Sequence, residues 1–149
     1  MKVLVAERKG SDLIRNNRVG YDEVIKNSDI ISLHCPQNAE TEHLVNDEFL
    51  GKMKKSAMLI NTARGALVDN QALFDALKSK TIAYAVLDVL EQEPPPKDHI
   101  LLNAKLDNLK ITAHIAWASF EAQQQLIELI AENISAFKHG KNLNRVTRT

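Results

Sequence analysis

The chain has 149 residues, of which 44% are hydrophobic, and its 19 basic and 19 acidic side chains give a formal net charge of zero. This length suits one domain with its own core, and the balanced charge provides no field that would draw the protein to nucleic acid or to an anionic membrane. No apolar run approaches the roughly eighteen residues that a membrane span needs, and a single cysteine fits a reducing compartment, so we expect a cytoplasmic protein.

Five continuous apolar runs predict the strands of a parallel sheet. A run without alternation is typical of a strand that is buried on both faces, with helices above and below the sheet. The predicted strands are Lys2–Ala6, Ile30–Leu33, Met58–Ile60, Ala83–Val89 and Leu109–Ala113, with a minor strand at Gly20–Tyr21.

Helical patterns alternate with these runs. The predicted helices cover residues 22–27, 46–53 and 70–80, with Asp22, Asn46 and either Asp69 or Asn70 at their N-terminal caps. Alternating strands and helices imply right-handed crossovers and a doubly wound α/β fold.

The last predicted helix is long. Ser119 is expected to cap it, and it runs from Phe120 to about His139, where Gly140 provides a natural stop. Five apolar side chains at helical spacing form a stripe that we assign to the core: Leu126, Ile127, Ile130, Ile134 and Phe137. We therefore predict one domain over residues 1–140, followed by a tail at 141–149.

Three charged side chains, Arg64, Glu93 and His114, follow the predicted strands toward the end of the chain. Parallel strands bring such ends to one edge of the sheet, which is where ligands bind in open α/β folds. The guanidinium of Arg64 offers a planar fork of donors that suits a carboxylate. Arg64 alone has a simpler interpretation as a surface arginine, and Glu91 is a second candidate for the carboxylate, but the convergence favours a site. No metal-ligand spacing is present.

Four motifs carry a family resemblance. In order, they are Leu33-His34-Cys35-Pro36, the segment Ile60–Asp69 with sequence INTARGALVD, Leu87-Asp88-Val89 followed by Glu93-Pro94, and the segment His114–Ser119. This pattern resembles the D-isomer-specific 2-hydroxyacid dehydrogenases over essentially the whole chain. The tryptophan after the histidine is most similar to the glycerate dehydrogenase (hydroxypyruvate reductase) branch.

The resemblance implies a Rossmann-like fold, NAD as cofactor and a catalytic set of Arg64, Glu93 and His114. Arg64 would hold the substrate carboxylate, and His114 would pass a proton to the 2-keto oxygen. Glu93 would bond to the other ring nitrogen of His114 and favour the imidazolium.

The resemblance also implies a set of cofactor-binding residues. Glu7 would bond to the adenosine ribose, while Arg8 beside it could instead accept the phosphate of NADP; we favour NAD because the carboxylate would repel that phosphate. Asp88 would contact the nicotinamide carboxamide. The full set is Glu7, His34, Cys35, Pro36, Thr62, Ala63, Arg64, Asp88 and His114.

One departure from the family pattern concerns glycine. The fingerprint Gly-x-Gly-x-x-Gly is expected just before the strand at Lys2–Ala6, and the five glycines of this chain do not form it. We therefore expect a C-terminal fragment that lacks the first strand, the glycine turn and a substrate domain. Such a chain would bind NADH weakly and show no activity alone, and the complete protein would be a homodimer. The alternatives are a non-catalytic NAD-binding module and an interaction fragment.

Overall fold

A four-stranded parallel sheet organises the first part of the chain. The computed structural model describes residues 1–146, so residues 147–149 of the predicted tail lie outside the described residues. The strands follow chain order across the sheet: β1 (Ile30–Leu33), β2 (Met58–Asn61), β3 (Tyr84–Leu87) and β4 (Leu109–Ile111). Four of the five predicted strands and the parallel α/β fold class are therefore confirmed.

Helices connect the strands, as parallel pairing requires. The connecting helices are α2 (Asp47–Lys52), α3 (Asn70–Lys78) and the short α4 (Ile100–Asn103), and a 3₁₀ turn lies at Gly65–Leu67. Two further helices flank the sheet in sequence: α1 (Tyr21–Asn27) precedes β1, and α5 (Phe120–Lys138) follows β4. The predicted caps of α2, α3 and α5 are confirmed, since the side chains of Asn46, Asp69 and Ser119 accept hydrogen bonds from backbone N–H groups of the first turn.

The start of α1 differs from the prediction. Gly20, not Asp22, occupies the N-terminal cap, and Tyr21 belongs to the helix rather than to a strand. The ring of Tyr21 packs edge-on against Phe49 of α2, with centroids 6.1 Å apart. This aromatic contact explains the difference, because it draws Tyr21 onto the helical layer.

The core lies on one face of the sheet. Leu59, Ala85 and Leu87 point into it, and Leu50, Leu73 and Leu77 of the covering helices are fully buried. On the opposite face Ile30 is 54% exposed, and the alternate residues of β2 and β3 are only half-buried. Within Met1–His114 one face of the sheet is therefore more fully buried than the other.

The predicted N-terminal strand is also not part of the sheet. Val3 and Val5 are 71% and 47% exposed. Ala6 forms an isolated parallel bridge with Val19, which donates its N–H to the carbonyl oxygen of Val5 at 2.9 Å. An apolar run becomes a buried strand only when neighbours pair with both of its edges, and here the described residues supply one short partner.

The described chain divides into two compact units, Met1–His114 and a second unit that begins at Ile115. The second unit contains α5, in which no residue is buried, and the side chains of its apolar stripe are 49% to 84% exposed. The assignment of this stripe to the core is therefore wrong. No helix within residues 1–146 has the length and apolar character of a membrane span.

The one-sided core predicts unequal costs for two matched substitutions. Leu73→Ala in α3 removes a side chain that is 0% exposed, whereas Leu102→Ala in α4 removes one that is 46% exposed. We expect the first to lower the free energy of unfolding by about 2–5 kcal/mol and the second by about 1 kcal/mol or less. Urea titration followed by circular dichroism measures both. Equal losses would contradict the placement of the core.

Candidate functional site

The four strands end in one row. Leu33, Asn61, Leu87 and Ile111, the last residues of β1 to β4, are aligned partners across the sheet. The chain therefore leaves every strand at the same edge. His34-Cys35-Pro36, Thr62-Ala63-Arg64, Asp88 and Thr112 are the first residues beyond it. The ends of the four strands therefore lie along one edge, as parallel pairing predicts.

The turn that carries Arg64 is held by a buried amide. Asn61 is 0% exposed; its Nδ2 donates to the carbonyl oxygen of Arg64 at 2.9 Å, and its Oδ1 accepts from the N–H of Ala63 at 3.0 Å. The Arg64 side chain is exposed and donates from Nη1 to the carbonyl oxygen of Ala63 at 2.7 Å. Asn61 was not predicted as part of the site, although an asparagine that follows an apolar run is a known turn signal.

Glu93 and His114 are in direct contact. Glu93 Oε2 lies 2.7 Å from His114 Nδ1, and Glu93 Oε1 accepts from the N–H of Leu90 at 2.9 Å. The Leu90 N–H first, and then His114, hold the pKa of Glu93 below its ordinary value, against partial desolvation and the charge of Asp88. His114 has a φ of 54°, a conformation that is uncommon for residues other than glycine and that clusters at functional sites.

Asp88 is buried beside the same edge, with only 3% of its surface exposed. Its N–H donates to the carbonyl oxygen of Asn61 at 2.9 Å, and its Oδ1 accepts a short hydrogen bond from the Thr112 hydroxyl. Thr112 was missed from the sequence, because its partner is 24 residues away. The backbone of Asp88 is thus held by Asn61, and its carboxylate by Thr112.

The turn after β1 offers surface rather than chemistry. His34 and Pro36 are exposed, and His34 Nε2 lies 2.9 Å from the Ser32 hydroxyl. Cys35 is half-buried, and burial raises the pKa of its thiol. A raised pKa keeps the thiol protonated and weakly nucleophilic. Thr62 is exposed and could meet a ligand at this edge.

Glu7 lies in a different environment from the one expected. Its side chain is 3% exposed, and Arg15 donates to it from Nε at 3.0 Å and from Nη2 at 2.5 Å. The backbone N–H groups of Arg8 and Arg15 donate to it as well, at 2.9 and 3.1 Å. An ionised carboxylate has about four acceptor positions, and all are used. Glu7 does not present the open carboxylate that the sequence predicted for a ribose.

The residues present fit the nicotinamide end of NAD better than its adenosine end. Asp88, Thr62 and Arg64 lie at the strand edge where that end would bind, whereas Glu7 is engaged by Arg15. No Gly-x-Gly-x-x-Gly pattern occurs in the sequence, so no residue is assigned to the diphosphate. No cluster of metal-ligating side chains occurs in the part of the chain that the structure describes.

Comparison with known proteins gives a consistent family. Residues 1–116 match the model of the D-isomer specific 2-hydroxyacid dehydrogenase NAD binding domain. A glyoxylate reductase from Thermofilum pendens is 52% identical over 120 residues, which are 80% of this chain and 35% of that protein. A glycerate dehydrogenase from Methylorubrum extorquens is 48% identical over 128 residues, 86% of this chain and 41% of that protein. The chain therefore spans less than half the length of these relatives.

A solved structure supports the same relationship. D-lactate dehydrogenase from Lactobacillus jensenii, determined with NAD+, superposes with a TM-score of 0.84 and 30% sequence identity. The match covers 99% of this chain and 48% of that one.

The contacts of Glu7 predict how stability depends on pH. The side chain of Arg15 holds the pKa of Glu7 well below its ordinary range, aided by the N–H of Arg8. As pH falls, Glu7 therefore takes up its proton in the unfolded state before it does so in the native state. The contribution of Glu7 to stability is complete above the unfolded pKa of about 4.3, and it is lost as pH falls toward the native pKa. Arg15→Gln should raise the native pKa, so the variant is less stable than the parent at pH 7, and the difference shrinks in acid.

Arg8→Gln is the matched control. It removes the same charge but keeps the backbone N–H that Glu7 accepts from. Urea unfolding between pH 3 and pH 7, with carbon NMR of the Glu7 carboxyl, measures both variants. An Arg8→Gln chain that behaves like Arg15→Gln would show that general charge, rather than the contact with Arg15, controls Glu7.

Proposed function

The chain belongs to the D-isomer-specific 2-hydroxyacid dehydrogenase family, and on that basis we propose that it forms the cofactor-facing part of an NAD-dependent oxidoreductase. The reaction interconverts a 2-keto acid and a D-2-hydroxy acid. The observation that carries the proposal is the contact between Glu93 Oε2 and His114 Nδ1 at 2.7 Å, at the sheet edge from which Arg64 also projects. A proton donor, its carboxylate partner and a cation for the substrate are the groups that this reaction needs.

His114 acts as the general acid and base. Glu93 holds Nδ1, so Nε2 is the ring atom that exchanges a proton with the substrate oxygen. The N–H of Leu90 keeps Glu93 ionised and correctly turned, because it occupies the oxygen that His114 does not. The carboxylate also fixes the plane of the ring through this contact.

Arg64 binds the substrate carboxylate through its guanidinium. The amide of Asn61 fixes the backbone of the turn from which this side chain projects. A planar fork gives two parallel hydrogen bonds to a carboxylate, which aligns the neighbouring carbonyl as well as holding the charge.

Asp88, oriented by Thr112, faces the nicotinamide end of the cofactor. NAD(H), when bound, supplies the hydride chemistry at the carbonyl carbon. Thr62 and Ala63 line the same end, and His34, Cys35 and Pro36 lie along the adenosine half. Glu7 would need to give up one or more contacts with Arg15 to reach a ribose hydroxyl.

For the substrate, we propose hydroxypyruvate, reduced to glycerate. The motif His114-Ile115-Ala116-Trp117 and the 48% identical glycerate dehydrogenase favour it, while the 52% identical glyoxylate reductase offers a smaller 2-keto acid as the alternative. We further propose a cytoplasmic homodimer for the complete protein, with no nucleic-acid or membrane partner.

The complete enzyme should depend on His114 for proton transfer. We expect His114→Ala to lower kcat by about 10²–10⁴-fold, the usual contribution of a positioned acid and base, with little change in NADH affinity. His139→Ala is the control, because His139 is exposed at the end of α5 and its Nδ1 lies 2.7 Å from the carbonyl oxygen of Ser135. Steady-state NADH oxidation measures both. Full activity of His114→Ala would end the assignment.

The substrate proposal has its own test. The complete enzyme is assayed with hydroxypyruvate, glyoxylate and pyruvate at fixed NADH, and kcat/KM is compared. We expect hydroxypyruvate to lead by about fivefold, since one well-placed hydrogen bond contributes roughly 1 kcal/mol. A higher kcat/KM for glyoxylate would support the same class of reaction, with glyoxylate as the substrate in place of hydroxypyruvate.

A further inference from the structure

Gly65 makes an unusually close approach to another segment. It is buried, and an ideal Cβ added to it would lie 1.9 Å from the carbonyl carbon of Leu90, 2.1 Å from its oxygen and 2.2 Å from the N of Glu91. Real Cβ atoms essentially never come within 3.0 Å of such neighbours. The atoms met are backbone atoms, so no rotation of a side chain could relieve the clash.

The requirement for glycine here is a requirement for space. The left-handed conformation that favours glycine occurs at Gly10 and Gly140, with φ of 73° and 67°, and not at Gly65. Gly51 in α2 has no heavy atom within 4 Å of an added Cβ. Gly65 therefore differs from the other glycines in what lies against it.

This contact joins the two halves of the proposed catalytic set. On one side, Gly65 directly follows Arg64, whose carbonyl oxygen is bonded to Asn61. On the other side, the N–H of Leu90 donates to Glu93, and Glu93 contacts His114. The peptide that touches Gly65 thus belongs to the residue whose N–H orients Glu93.

The remaining links between the two loops do not set this distance. The last backbone bond between their strands runs from the N–H of Asp88 to the carbonyl oxygen of Asn61, at 2.9 Å, before either loop reaches its functional side chain. Asn70 Nδ2 donates to Glu91 Oε2 at 3.1 Å, but both of these side chains are flexible and partly exposed. Rigid backbone-to-backbone packing occurs at Gly65.

We propose that Gly65 is a positioning residue. It packs the turn that carries Arg64 against the loop that carries Glu93, and so sets the separation of the Arg64 guanidinium from the Glu93–His114 pair. The inference rests on the proposed function for the roles of Arg64, Glu93 and His114. The packing itself concerns only contacts within residues 61–114 and can be tested without a substrate.

The test replaces Gly65 by Ala in the 149-residue chain and follows the Glu93 carboxyl and the Leu90 amide by NMR across pH. In the parent, the Leu90 amide signal should change as Glu93 ionises, since the Leu90 N–H donates a hydrogen bond to the Glu93 carboxylate. In Gly65→Ala, the methyl group displaces the Leu90–Glu91 peptide. We expect the pH midpoint of the Glu93 carboxyl signal to rise toward the ordinary value for a glutamate. The chemical shift of the Leu90 amide should no longer change with the ionisation of Glu93.

Gly51→Ala is the matched control and should leave both signals unchanged. A second variant, Asn61→Ser, loosens the Arg64 turn without adding bulk, and it should move both signals in the same direction as Gly65→Ala, by less. Unchanged signals in a folded Gly65→Ala chain would overturn the proposal, and so would a folded Asn61→Ser chain with no effect on Leu90. A Gly65→Ala chain that cannot fold would also overturn it, because the contact would then be a requirement of the whole sheet.

These results are separable from the proposed function. If the signals respond as expected but His114→Ala leaves the complete enzyme fully active, the packing role of Gly65 is supported and the proposed catalytic roles are wrong. If the signals do not respond, the catalytic roles can still hold with Gly65 removed from them.

Discussion

The register of the parallel sheet is the constraint on which the rest of the structure depends. Because Leu33, Asn61, Leu87 and Ile111 are aligned, every connection starts from one edge, and polar side chains from distant parts of the sequence meet there without a dedicated binding loop. Parallel pairing requires a crossover after each strand, and each crossover returns the chain to the opposite edge before the next strand begins. The same register means that a one-residue slip of β2 would turn Asn61 away from the buried face on which it holds the Arg64 turn.

Each of three charged groups at this edge has a neutral partner that helps to orient it. The amide of Asn61 fixes the Arg64 turn, the N–H of Leu90 fixes Glu93, and the hydroxyl of Thr112 fixes Asp88. Neutral donors and acceptors orient a charged group without cancelling its charge. Glu7 is the contrast within the same unit, because Arg15 both orients and neutralises it.

Local patterns predicted most of the fold. Apolar runs identified β1 to β4, short polar side chains identified the caps of α2, α3 and α5, and ordered motifs identified the family, which the comparisons confirm. The errors share a cause, since each concerns a partner that local sequence does not encode. Residues 2–6 and the stripe on α5 are apolar, but burial depends on what packs against them. Gly65 lies within a recognised motif, yet its need for space is set by Leu90, 25 positions later, and Arg15 gave no signal that it would engage Glu7.

The pairing of Glu7 with Arg15 changes the argument about cofactor preference. An open glutamate at the end of the second Rossmann strand favours NAD, because it accepts from ribose hydroxyls and repels the phosphate of NADP. In this chain the carboxylate is saturated, and two of its four donors come from a guanidinium. Charge-assisted hydrogen bonds are about twice as strong as neutral ones, so exchanging a guanidinium donor for a ribose hydroxyl is unfavourable unless Arg15 finds another anion. Arg15 is half-exposed and can turn outward, which would free the carboxylate for a ribose or place a cation beside it for a phosphate. The identity of residue 7 alone therefore does not determine the preference.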